Sequence, residues 1–162
     1  MRSILPNAKH LVCLGLLVLA AVSSRLAHAG EDEVRACDFK VKARCVSGGV
    51  RVTLAAGVVK RLEVDVFWCG LRGRPGYGCT IDSTRGEQDA NWSDEGGATV
   101  VTSAEPWNPD RPDRVKVTVG HSVSIDMEEA QSLGACGFGA ELPKAIVIPA
   151  QGGACRVWLN DH

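Results

Sequence analysis

Six cysteines, Cys37, Cys45, Cys69, Cys79, Cys136 and Cys155, constrain this chain more than any other feature. A seventh, Cys13, lies in an N-terminal stretch ordered like a secretory leader. Basic Arg2 and Lys9 come first, then an apolar run over residues 11–22, then small Ala27 and Ala29 ahead of Gly30-Glu31-Asp32. The run is shorter than the roughly 20 residues a spanning helix needs. This order predicts a signal peptide over residues 1–29, a single β domain over residues 30–162, and no membrane span after cleavage. The expected destination is secreted or periplasmic. There an even number of cysteines reads as three disulfides, with about 15 formal connectivities. Zinc is the competing reading, but no Cys-x-x-Cys occurs, and beyond the leader the histidines are His121 and His162.

The residues from Cys37 to Cys45 alternate, with Cys37, Phe39, Val41, Ala43 and Cys45 on one side and Asp38, Lys40, Lys42 and Arg44 on the other. That period predicts a half-buried strand. Eight steps of about 3.3 Å would hold its two cysteines some 26 Å apart, far beyond the roughly 7 Å a disulfide spans, so they should not bond each other. Ser47-Gly48-Gly49 is expected to turn the chain into a returning strand at Val50, Val52 and Leu54. A third strand follows over residues 58–69, with Leu62, Val64, Val66 and Trp68 on one face.

Further strands are expected at residues 98–102, 115–119, 123–125, 145–148 and 154–159. Residues 82–97, rich in Asp, Ser, Asn and Gly, read as a surface loop, and the three prolines of 105–112 as another. Gly120 marks a bulge or tight turn. Asp126 and Glu129 have the form of a capping box ahead of Met127, Ala130 and Leu133, at most one short helix. The fold class is therefore all-β: a disulfide-braced antiparallel sandwich or partly open barrel of about seven short strands. Trp68 and Trp158, both in strands, are expected to pack in the core.

Charge excludes one large class of partner. Removing the leader takes away Arg2, Lys9 and Arg25 of the 18 basic residues and none of the 19 acidic ones, leaving 15 against 19 and a net charge of −4. A nucleic-acid binder draws its affinity from a basic surplus, which is absent. Catalysis finds no motif either. His121 stands beside Ser122 and Ser124, but adjacent strand residues point to opposite faces, and no Gly-x-Ser-x-Gly elbow occurs. Asp89, Asn91, Ser93 and Glu95 space oxygens somewhat as a calcium loop does. Yet Asp94 stands where the glycine turn belongs and Val100 where the bidentate glutamate belongs. Neither a metal nor another cofactor is assigned, and the chain reads as a non-enzyme.

Recognition chemistry concentrates between Cys69 and Cys79, where four glycines and Pro75 exclude regular structure and Arg72, Arg74 and Tyr77 form a cationic and aromatic group. Bonding of Cys69 to Cys79 would order this loop before it meets a partner. The reading is an exported, non-catalytic binding module, such as a hydrolase inhibitor, that presents the loop to a protein with an acidic surface. Eight acids between residues 82 and 113 are the internal rival for those arginines. The alternatives are a carbohydrate or peptidoglycan-fragment binder using Trp92 and Trp107, placed in loops beside polar residues, or a structural protein of the cell envelope.

Overall fold

Alternation of apolar residues builds two antiparallel sheets. In the computed structural model, which describes residues 32–70, 76–104, 110, 113–130, 136 and 140–160, the first sheet is β1 (Glu33–Val41), β2 (Val46–Ala55), β3 (Val58–Trp68) and β4 (Tyr77–Thr84), in that spatial order. The second is β5 (Ala90–Glu95), β6 (Ala98–Ser103), β7 (Arg114–Val119), β8 (Val123–Glu129), β9 (Ala145–Ile148) and β10 (Arg156–Trp158), also laid side by side in sequence order. Each sheet is thus a meander and neither closes on itself, so the fold is a sandwich, not a barrel. All of this belongs to the unit Asp32–His162.

Val50, Val52 and Leu54 of β2, Leu62, Val64 and Val66 of β3, and Cys79 and Ile81 of β4 turn one way. Val101, Val115, Val117, Val123, Ile125, Met127, Ile146 and Ile148 turn from the other sheet to meet them in one apolar core. The residues between them are mostly polar and exposed, the signature of sheets with one wet face. Removal of this apolar area from water is the main term that holds the sheets together.

Several expected boundaries move. The first strand ends at Val41, and Lys42–Arg44 form a 3-10 turn closed by Cys45 in the left-handed region at φ 52°. Gly48 and Gly49 are strand residues, not the turn. Phe39 lies opposite Gly48, its ring covers the glycine, and a side chain at position 48 would fall on that ring and on the Asp65 carbonyl. Glycine is needed here for close approach, which its usual association with turns conceals. Residues 82–97 also prove more regular than a surface loop. They hold the end of β4 and all of β5, an edge strand that turns only Ala90 and Trp92 partly inward, so its apolar period is too short to read.

The capping box lies within β8. Val123, Ile125 and Met127 alternate with Ser124, Asp126 and Glu128, and the backbone N–H of Glu128 donates to Asp126 Oδ1 at 3.1 Å without starting a helix. The continuation over 131–135 lies outside the described residues. Strands among the described residues number ten. Gly120 does mark a tight turn, where its N–H bonds the Ser122 carbonyl at 3.0 Å.

The disulfides join Cys37 to Cys155, Cys45 to Cys69 and Cys79 to Cys136. Cys37 and Cys45 are unpaired with each other, as strand geometry requires. Cys69 and Cys79 are not paired with each other either, which corrects the self-closed loop. Cys79 is fully buried opposite Val66 and faces the core, whereas Cys69 lies beyond the end of β3, where its N–H bonds the Cys45 carbonyl at 3.0 Å. The segment is anchored at both ends, but to two other parts of the chain.

Candidate functional site

Antiparallel order sorts the connections to two ends of the sandwich. At one end stand the Ala56–Gly57, Gly96–Gly97 and Gly120–Ser122 turns with the 149–155 connection. Gly96 and Gly97, with φ of 58° and 83°, make the two-residue hairpin loop whose twist matches its strands. Arg35 Nη1 donates to the Gly120 and His121 carbonyls at 3.1 and 3.3 Å and fastens this end. At the other end stand the 42–45 turn and the described ends of three longer connections, 69–70 with 76, 104 with 113, and 130 with 140–144. Trp68 Nε1 donates to the Glu141 carbonyl at 2.8 Å, and Arg44 Nη2 to that of Asn160 at 2.8 Å, joining the two sheets there. Cys45–Cys69 and Cys79–Cys136 tie down both flanks of the 69–76 connection.

Arg72 and Arg74 lie outside the described residues, as does Trp107. Tyr77 opens β4 directly opposite Trp68, half-buried at the loop end. A neighbour that composition did not single out is Phe67. It points away from the core, is 51% exposed, and stands between Ser47 of β2 and Gly78 of β4 with the ring against Gly76. Both neighbours are small, so the ring rises from a low floor at the root of the 69–76 connection. The strand period shows that Phe67 faces outward; that its neighbours leave it uncovered depends on register.

Trp92 sits where the sheet edges β4 and β5 meet. Its Nε1 donates to Ser83 Oγ at 3.2 Å, and the Arg85 guanidinium lies 5.5 Å from the ring centroid. Arg85 in turn holds Asp94 through two bonds of 2.8 and 3.0 Å, and Thr99 Oγ1 donates to the same carboxylate at 2.9 Å. The Arg85 hydrogen bonds, then the Thr99 bond, hold the Asp94 carboxyl below its ordinary range; the hydrogen bonds to Asp94 raise Arg85 in turn. Trp92 therefore has its N–H spent and one face occupied, an arrangement suited to sealing a seam. With β5 extended and Asp94 engaged in this way, the oxygens of 89–95 do not wrap a common centre. Among the described residues no three His, Cys, Asp or Glu side chains gather as metal ligands.

The acidic segment is also partly spoken for. Asp82 takes two bonds from Arg61, at 3.0 and 2.9 Å, and Glu95 is paired with Arg114 at 2.7 Å. With Asp94 on Arg85, three of the expected rivals for Arg72 and Arg74 have other partners. Trp158 corrects the expectation of core packing. Val157 is the β10 residue that packs on the core, and Trp158, one step along, is 50% exposed. No helix among the described residues is long and apolar enough to cross a membrane.

No family model matches the chain, and no curated protein or solved structure gives a significant match.

Proposed function

We propose that this protein is an exported, non-catalytic binding domain that engages a protein partner through the loop end of its sandwich. The observation that carries the reading is the bracing of the 69–76 connection by Cys45–Cys69 and Cys79–Cys136 beside the exposed Phe67. A surface fixed before encounter loses less entropy on binding, and aromatic residues and arginines, the types that Phe67, Arg72 and Arg74 supply in this stretch of sequence, dominate interface energetics. Engagement of Asp82, Asp94 and Glu95 by Arg61, Arg85 and Arg114 removes three of the eight internal rivals for Arg72 and Arg74, which supports an acidic partner such as an extracytoplasmic hydrolase. Three disulfides suit the oxidising compartment to which the leader would send the chain.

Recovery of partners from exported extract, compared between wild type and Arg72→Ala/Arg74→Ala, tests the interface. The double variant is expected to lose the partner, and equal recovery would overturn the reading. N-terminal sequencing of the exported protein tests the route. The expected first residue is Gly30, and retention of Met1 in the cytoplasm would overturn export.

A further inference from the structure

The outer face of the second sheet carries a groove that the protein-binding reading does not use. Cross-strand register sets Trp158 of β10 opposite Ala145 of β9, and Ala145 opposite Asp126 of β8. Neighbouring strands lie about 4.8 Å apart, so Trp158 and Asp126 stand roughly 10 Å apart across the small Ala145 side chain. The result is a trough with an indole wall, an alanine floor and a carboxylate wall. Arg44, Glu128, Lys144 and Asn160 complete its polar rim, and the volume of about 710 Å³ continues past the β10 edge along Val41, Val157 and Leu159.

Trp158 differs from the other described tryptophans. Trp68 donates its N–H to Glu141 and Trp92 to Ser83. The Trp158 N–H has no acceptor among the described residues, and half of the side chain faces solvent. Two cations, Arg44 and Lys144, and two anions, Asp126 and Glu128, line the trough, so its formal charge is zero. Lys144 and Glu128 are themselves paired at 2.8 Å. A charged ligand finds no surplus of opposite charge here. An uncharged ligand with an apolar face and many hydroxyls finds an aromatic platform ringed by donors and acceptors.

We infer that the Trp158–Ala145–Asp126 trough is a binding site for a neutral saccharide, with one sugar ring stacked on the Trp158 indole and its hydroxyls bonded by the charged rim. The volume falls within the range of small-ligand sites and suits a short oligosaccharide. The site uses neither Phe67 nor the 69–76 connection, so it stands or falls independently of the protein interface.

The test is a titration of the folded protein with cellohexaose, maltohexaose and the tetramer of N-acetylglucosamine, followed by the tryptophan indole N–H and backbone amide resonances. Saturable shifts of the Trp158 indole and of the Ala145 and Asp126 amides by at least one of these sugars are expected, with the Trp68 and Trp92 indoles unmoved. Trp158→Ala should weaken that binding by about tenfold or more, through loss of stacking, and Trp158→Phe should restore part of it. Ala145→Leu, which fills the floor while leaving the indole in place, should weaken it comparably. Absence of any shift with all three sugars overturns the inference, as does undiminished binding by Trp158→Ala.

Discussion

The two ends of the sandwich solve different problems with the same strands. One end closes through the short turns Ala56–Gly57, Gly96–Gly97 and Gly120–Ser122, the first two at positive φ. The other carries the described ends of the connections that follow β3, β6 and β8, and two of the three disulfides secure residues there. The tight turns fix strand register locally, and the longer 149–155 connection at the same end is tied to β1 by Cys37–Cys155. Longer connections do not fix their own geometry, and the described residues that flank 69–76 are held by Cys45–Cys69 and Cys79–Cys136. Function concentrates on loops positioned by a rigid scaffold, and here the scaffold supplies such loops at one end.

Disulfide removal is the strongest way to stress this difference. Loop-closure entropy makes the Cys37–Cys155 bond, with a separation of 118 residues, worth about 4–5 kcal/mol, and Cys45–Cys69, with a separation of 24, about 3 kcal/mol. Denaturant unfolding of the paired alanine variants should therefore rank them in that order. Amide exchange should rise throughout the domain in the first variant and chiefly around Trp68 and Val46 in the second. A uniform rise in both would erase the distinction between a bond that holds the sheets together and one that holds an end.

Gly48→Ala should cost about 2–3 kcal/mol, as overpacking against Phe39 and the Asp65 carbonyl. A thermal melt unchanged from wild type would show that β2 and β3 do not approach as closely as described. The turn end offers an improvement instead. Ala56 holds φ at 50° ahead of Gly57, and Ala56→Asn, the preferred residue there, should raise stability by about 0.5–1 kcal/mol without touching the loop end.

The smallest effect is electrostatic. Because the folded pKa of Asp94 lies below its ordinary value of 3.8, its contribution is complete above that pH and disappears as pH falls through the lower folded value. The stability difference between wild type and Asp94→Asn should be constant from neutrality down to about pH 4 and shrink below it. A difference that grows on acidification would contradict the Arg85–Asp94 pairing.

Legibility in the sequence followed how many residues each strand turns inward. Val50, Val52 and Leu54, or Val115 and Val117, carry a period long enough to reveal strand and face together, and the all-β class follows from them. β5 turns only Ala90 and Trp92 inward, and β10 only Val157, so edge strands read as loop or with the faces exchanged, which is how Trp158 came to be expected in the core. Met127 and Ala130 are three apart and satisfy a helix as well as a strand end; pairing of β8 with β7 and β9 decides between them. Gly48 and Gly49 resemble a turn until Phe39 is set across from them. Cys37–Cys155 and Cys79–Cys136 depend on how the chain is brought together beyond one sheet, which no local pattern encodes, whereas Cys45–Cys69 follows from the β2–β3 register that sets Val46 opposite Trp68. Of the candidate site, the position of the braced segment was legible, but Phe67 as its exposed neighbour and the trough beside Trp158 emerge only from register.

The central claim is that the loop end, not the turn end, meets the partner. A photo-crosslinking residue placed at Phe67, 51% exposed at the loop end, and separately at Val58, 40% exposed beside the Ala56–Gly57 turn, tests it in the exported protein. The account predicts a discrete protein adduct from position 67 and none from position 58. An adduct from position 58 alone, or from neither position, would contradict it.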